Sequence, residues 1–184
     1  HDAVDEERPH LDAGVAGDLE QAFADAGHVV LSNARNHRMD PLVPLLVPEV
    51  NADHLALLRA QAKRRGGKGA IVTNPNCSTV VLTMALAPLR PFGLRSCLVS
   101  TMQAVSGAGY PGVPSLDILG NVVPFIGGEE EKMEIETQKI LGGDGGRVPH
   151  QVRISAHTNR VPVLDGHTMT VSVEFAAAPE VAQV

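Results

Sequence analysis

The chain has 184 residues, 43% of them apolar and 20% charged, with a formal net charge of −6. That length supports one full core or pieces of two domains, and the composition is globular rather than disordered or fibrous. No basic block exceeds "KRR" at Lys63 to Arg65, no apolar run approaches the ~18 to 20 residues of a membrane span, and four Phe, one Tyr and no Trp offer little for base or sugar stacking.

In chain order, residues 1 to 12 carry no periodic signal, and their charged opening "HDAVDEERPH" is not a signal peptide. Ala13 to Gly27 reads as a helix with Val15, Leu19, Ala22 and Phe23 at helical spacing and Gly27 as its stop. "HVVLSNA" follows as a short buried strand, so a helix feeding a buried strand predicts an α/β unit with a parallel sheet. "RNHRMDPLVPLLVPEVN" holds three prolines that break regular structure, and "ADHLALLRAQAKRRG" is a short amphipathic helix ending at Gly66. "GAIVTN" is a second buried strand. "CSTVVLTMALAPL" is a helix apolar on nearly every face, hence expected to be buried, and Pro88 and Pro91 end it.

The second half reads differently. Arg95 to about Val105 is a long strand, followed by a Gly/Pro-rich excursion with little regular structure. "EEEKMEIETQKIL" is a helix whose face is set by Met133, Glu136 or Thr137, and Ile140. After the loop "GGDGGRVPH", residues 151–175 read as two strands with a connection, and "AAAPEVAQV" as a trailing end. The change from α/β alternation to long strands places a domain boundary between Asn76 and Ser78, dividing the chain into 1–76 and 77–184.

Cys77 directly follows a strand and directly precedes a helix. Unpaired N–H groups and the positive dipole end at a helix start favour a thiolate there. The position suits a nucleophile and a packed small residue equally. Cys97 lies mid-strand and reads as core; two cysteines so placed make no disulfide framework, and a reducing cytosol is the simplest setting. A nucleophile needs a base. His167, opening a strand on the face of Met169, Val171 and Val173, competes with His37, His54, His150 and His157, and spacing does not choose among them. Arg160 and Arg38 are each either exposed charges or bidentate carboxylate binders. Glu129 to Glu131 suit a helix start; Lys132 there opposes the dipole. The turn "SGAG", Ser106 to Gly109, permits close backbone approach to a flat ligand. No His/Cys pair stands at metal-ligand spacing, and no Gly-rich fingerprint follows a strand and opens a helix.

The strings "SNA..HRM", "VPLLVPEVN", "NPNCST", "STMQAVSGAGYPGVPSLDILGNVVPFIGGEEEKME" and "NRVPVLDGHT" together resemble the aspartate-semialdehyde dehydrogenase family, in its archaeal and fungal branch, from about Ala13 to Phe175. The resemblance implies an α/β fold: a partial Rossmann NADP-binding domain over 1–76, then a partial α+β catalytic and dimerisation domain over 77–184, similar to that of glyceraldehyde-3-phosphate dehydrogenase. It implies Cys77 as the thioester-forming nucleophile, His167 as acid/base and Gln103 as the residue placing substrate near the thiol. It gives Arg160 to the substrate carboxylate, Arg38 and Lys132 to phosphate, and Glu130, among Glu129 to Glu131, to the substrate amino group. It gives Asn33, Ser106, Gly107 and Gly109 to the nicotinamide cofactor, NADP.

The implied reaction is reductive dephosphorylation of L-aspartyl-4-phosphate in aspartate-family amino-acid biosynthesis, by a cytoplasmic homodimer or homotetramer with no nucleic-acid or membrane partner. Asn76 and the N–H groups after Cys77 are expected to stabilise the oxyanion. The alternatives are a malonyl-CoA reductase and a non-catalytic dimerisation piece. The family's opening strand with its GxxGxxG loop, and its segment after Phe175, are not in this sequence. The chain is therefore expected to be an internal piece that binds NADP poorly or not at all.

Overall fold

The computed structural model describes residues 13–177 and 179–183. The aperiodic opening, residues 1 to 12, and Ala178 and Val184 of the trailing end lie outside the described residues. Helix α1 (Ala13–Asp25) leads into strand β1 (Val29–Ser32), and helices α2 (Pro48–Asn51) and α3 (Leu57–Arg64) precede β2 (Ala70–Thr73). Helix α4 (Cys77–Leu86) and β3 (Leu94–Gln103) follow, then α5 (Ser115–Ile118), β4 (Val123–Pro124), α6 (Glu129–Ile140), β5 (Arg153–Arg160) and β6 (His167–Phe175). No helix among the described residues is long and apolar enough to cross a membrane.

Two sheets form. β1 and β2 pair in parallel, with Val30 opposite Ile71, as the helix-to-strand pattern predicted. The second sheet runs β4-β5-β3-β6, with β3 parallel to β5 and antiparallel to β6. β5 and β6 are consecutive in the chain but not neighbours, because β3 lies between them.

Period-two alternation explains how β3 is buried. Cys97, Val99, Thr101 and Gln103 are all buried, while Leu98 and Met102 face outward, 62% and 37% exposed. The inner face is therefore built in rows: Val99 beside Ala156 and Val171, then Thr101 beside Thr158 and Met169, then Gln103 beside Arg160 and His167. Leu82 and Leu86 of α4 and Met133 of α6 join Cys97, Val99 and Ala156 in the main core. A smaller core of Ala24, Val43 and Ile71 sits under the parallel pair.

One apolar stripe is uncovered, and two burial expectations, for β1 and α4, are corrected. Val15, Leu19 and Phe23 of α1 are each at least half exposed, while Gly17 and Ala24 are buried. Leu31 of β1 is 79% exposed, so that strand is not buried on both faces. Helix α4 buries Leu82, Thr83 and Leu86 but exposes Val81 and Met84. Periodicity locates an apolar stripe; it does not specify what covers it.

Candidate active site

The last inner row of the sheet turns from apolar to polar. Gln103 is paired in register with both Arg160 and His167, so three polar side chains stand abreast at the C-terminal ends of β3 and β5 and the start of β6. Open α/β sheets bind ligands outside the carboxyl ends of their strands.

Cys77 arrives at this row from the opposite layer. It is the first residue of α4, held there by its N-cap Asn76, whose Oδ1 accepts from the N–H groups of Ser78 at 3.0 Å and Thr79 at 3.3 Å. Its side chain is exposed, and Sγ lies 3.2 Å from His167 Nε2. The His167 Nδ1 is 2.9 Å from the Gly166 carbonyl. The Ala104 N–H is shared between that carbonyl, at 3.2 Å, and Nδ1 itself, at 3.3 Å. In the tautomer that satisfies the shorter of these contacts, Nδ1–H donates to Gly166 and Nε2 is left as an acceptor for the thiol proton. The other histidines stand elsewhere. His54 pairs with Asn51 Nδ2 and the Gly142 carbonyl, His37 with the Gly17 carbonyl, and His157 lies exposed on the outer sheet face. Burial pushes the Cys97 thiol up to about 11, which suits an inert core residue.

Arg160 is 6% exposed and donates from Nη1 to the Ala104 carbonyl at 2.8 Å. Gln103 is 1% exposed and donates to Thr101 Oγ1 at 3.3 Å. Above this row runs the turn 105–109, strapped to the β5–β6 connection by Val105 N–H to Val163 O and Ser106 N–H to Leu164 O. Gly107 is where the strap comes closest: a Cβ there would stand 2.9 Å from Arg160 Nη1 and 3.0 Å from His167 Cε1. Ser106 and Gly109 are exposed in the same turn.

The charged residues reach Cys77 through Asn76. Glu129 takes the Asn76 Nδ2 at 2.7 Å with one oxygen and Lys132 Nζ at 2.7 Å with the other. Glu130, expected to face the substrate, accepts instead from the Thr158 N–H of β5 at 3.0 Å. Of these two, Glu129 is the carboxylate joined to Asn76, the residue before Cys77. Arg38 is 8% exposed, bonded to Glu136 Oε1 and the Asn33 carbonyl, each at 2.9 Å; its Nε is buried with no partner. Asn33 Oδ1 accepts from Asn74 Nδ2 at 3.0 Å, three positions before Cys77. The Asn76 expectation is also corrected. Its Nδ2 donates to Glu129, and the Ser78 and Thr79 N–H groups donate to its Oδ1 in capping the helix, so none of these is a free oxyanion donor.

Two site residues were not singled out for the site in the sequence. Glu136 was read only as part of a helix face, and Lys139 not at all. Lys139 Nζ is buried and donates to the carbonyls of Arg38, Asp40 and Val43 at 2.6, 2.8 and 2.9 Å. Burial pushes it down to about 8, against the pull of Asp40 and Glu136. Its signal was its place three residues after Glu136, in step with Glu129 and Lys132.

A cleft of about 440 Å³ opens at the carboxyl ends of β1 and β2, lined by Leu31, Ser32, Asn33, Val72, Thr73 and Asn74. Its size suits a small-molecule or cofactor fragment. Among the described residues, no group of three or more His, Cys, Asp or Glu could hold a metal ion.

Comparison with known proteins matches residues 86–184 to the semialdehyde dehydrogenase dimerisation domain and residues 10–58 to the semialdehyde dehydrogenase NAD binding domain. The chain is 54% identical over 167 residues to an aspartate-semialdehyde dehydrogenase of Archaeoglobus fulgidus, covering 90% of this chain and 49% of that protein. It is 55% identical over 179 residues to one of Cryptococcus neoformans, covering 92% and 49%. A crystal structure of aspartate semialdehyde dehydrogenase with NADP from Candida albicans superposes with a TM-score of 0.80 at 46% identity, over 92% of this chain and 50% of that one. The chain spans about half the length of the curated relatives it matches.

Proposed function

The chain belongs to the semialdehyde dehydrogenase family, and from that premise we propose that it carries the thiol chemistry of an NADP-dependent aspartate-semialdehyde dehydrogenase. The observation that carries this reading is the 3.2 Å approach of Cys77 Sγ to His167 Nε2 beside Gln103 and Arg160. The reaction is the conversion of L-aspartyl-4-phosphate to L-aspartate-4-semialdehyde and phosphate. The names borne by the Archaeoglobus and Cryptococcus relatives support that substrate.

His167 Nε2 takes the Cys77 proton, and the thiolate attacks the acyl carbon. The bond from that carbon to the phosphate oxygen breaks, His167 gives its proton to the departing phosphate, and a thioester remains on Sγ. Arg160 holds the substrate carboxylate as a planar fork, and Gln103 sets the acyl group against the thiol. Glu129, the carboxylate beside Asn76, takes the amino group in preference to Glu130. Lys132 and Arg38 hold the phosphate, and the unpartnered Arg38 Nε is a donor that an anion can satisfy.

The residues present fit a nicotinamide cofactor: the cleft at Asn33 lies at the carboxyl ends of parallel strands, and at Gly109 nothing stands within 4 Å of where a Cβ would lie. Asn33 and the turn of Ser106, Gly107 and Gly109 would hold it. When bound, NADPH supplies the hydride that takes the thioester carbonyl to the aldehyde level.

On this reading residues 1–76 belong to the cofactor domain and 77–184 to the catalytic and dimerisation domain. The exposed sheet face of Leu98, Ser155, His157, Thr170 and Ser172 suits a second copy, in a homodimer or homotetramer. A cytoplasmic setting agrees with the free thiols.

The test is NADPH consumption by the full-length protein with L-aspartyl-4-phosphate and with malonyl-CoA. Turnover of the acyl phosphate alone is expected. Turnover of the CoA thioester alone would assign a malonyl-CoA reductase, and activity that survives Cys77→Ala would remove Cys77 from the chemistry.

A further inference from the structure

Helix α6 carries Glu129, Lys132, Glu136 and Lys139 along one stripe. A charged stripe is usually solvated, yet Glu136 is 2% and Lys139 3% exposed. A buried carboxylate is tolerated only where it is paired and hydrogen-bonded. Glu136 meets both conditions with residues far from it in sequence. Its Oε2 accepts the backbone N–H of Asn76 at 2.8 Å, and its Oε1 accepts from Arg38 Nη1 at 2.9 Å. Asn76 is thus held at its backbone N–H by Glu136 and at its side-chain amide by Glu129, while its Oδ1 caps α4. Lys139 anchors the backbone of the Arg38 loop through three carbonyls, so both ends of the bridge are fixed to α6.

We propose that Glu136 is a positioning residue for the Cys77 centre: its carboxylate bridges Asn76 to Arg38 and so holds Sγ opposite His167. The proposal rests on the reading of Cys77 as the nucleophile. Glu136 touches neither the thiol nor a reacting atom; it acts through Asn76, the residue before the thiol. Both groups that it accepts from are donors. A glutamine there would turn its NH2 group against one of them and push Asn76 or Arg38 away.

Two effects of Glu136→Gln oppose each other, which makes the test sharp. Removing a negative charge near the thiol favours the thiolate and speeds alkylation. Loosening Asn76 and the helix start slows it, because the thiol loses both His167 and the ordered first turn of α4. The positioning role predicts the second.

The experiment is iodoacetamide labelling of the full chain at neutral pH, resolved by site. The buried Cys97 is the internal control for the fold. The expected result is Cys77 alkylation slowed at least five-fold, on the order of 1 kcal/mol, with Cys97 still protected. Unchanged or faster Cys77 labelling with Cys97 protected would overturn the proposal. Where the glutamine variant exposes Cys97, Glu136→Asp is read in its place; it keeps the charge but, one methylene shorter, reaches one donor at most. Slowed Cys77 with protected Cys97 is again required, and exposure of Cys97 in both variants would make Glu136 a residue of the fold and sink the proposal. A wild-type Cys77 that iodoacetamide does not touch would sink the nucleophile reading itself. A reactive Cys77 indifferent to Glu136 would sink the positioning role alone.

Discussion

Cys77 Sγ and His167 Nε2 lie 3.2 Å apart across ninety positions of sequence. One is the first residue of a helix and the other the first residue of a strand. The helix lies on the inner sheet face through Leu82 and Leu86, and the strand takes its register from β3, with His167 opposite Gln103. The pair is therefore a product of core packing and strand register together.

From that pair, Cys77→Ser is expected to remove the thioester. Intact-mass measurement after adding acyl phosphate should show the acyl adduct on the wild type and none on the variant. His167→Asn should still acylate, but ~10²- to 10⁴-fold more slowly, the usual range for a lost general base. Equal acylation rates for His167→Asn and the wild type would separate His167 from the chemistry.

Gly107→Ala tests the close approach of the strap. Its Cβ would stand 2.9 Å from Arg160 Nη1 and 3.0 Å from His167 Cε1, both closer than normal contact. Arg160 or His167 must move, and a misplacement of that size costs up to ~10²-fold in rate. We expect kcat/KM to fall ~10- to 100-fold with the melting temperature little changed, since the turn is exposed. A variant with wild-type kcat/KM would show that the strap yields without disturbing either residue.

Arg160→Lys replaces a planar fork with a point charge. The lysine cannot both hold the Ala104 carbonyl and grip a carboxylate with two parallel bonds. A lost hydrogen bond to a charged group is worth about 1.5 to 3 kcal/mol, so KM for the acyl phosphate should rise ~10- to 100-fold. Steady-state kinetics on the two proteins decides it, and an unchanged KM would place the substrate carboxylate elsewhere.

His54 sets an acid limit on stability. Burial pushes its imidazole below the usual histidine range, with the Gly142 carbonyl pulling the other way. Asn51 Nδ2 donates to Nδ1, so the folded state wants the neutral ring. As pH falls below the ordinary histidine value, the unfolded chain binds a proton before the folded one, and folding stability drops. The urea midpoint should fall between pH 7.5 and 5, and fall less in His54→Gln. Parallel losses in the two proteins would assign the acid limb to other groups.

Much of the fold was legible because its signals are local. The run "AIVT" is buried at every position as a fully apolar strand should be, and Met133, Thr137 and Ile140 form the buried face of α6 as their spacing predicts. Val15, Leu19 and Phe23 stand at helical spacing in α1 yet are exposed, because the same spacing describes a stripe whether or not anything covers it. Glu129 and Glu130 were not separable by spacing: both open the same helix, and a rotation of about 100° between neighbours decides which meets Asn76 and which meets β5.

Adjacent residues were enough to place Cys77 between a strand and a helix and to name the residue types that could serve it. Local rules suffice there, since a strand end, a cap and a helix start are properties of a few adjacent residues. Long-range packing set His167, and not His37, His54, His150 or His157, beside Cys77, put Gln103 between His167 and Arg160, and buried Glu136 and Lys139 against residues about a hundred positions earlier, or sixty for Asn76. Those choices depend on strand register and on the packing of α4 and α6 against one sheet face. Both are set by the whole core at once, and no short window of sequence contains it.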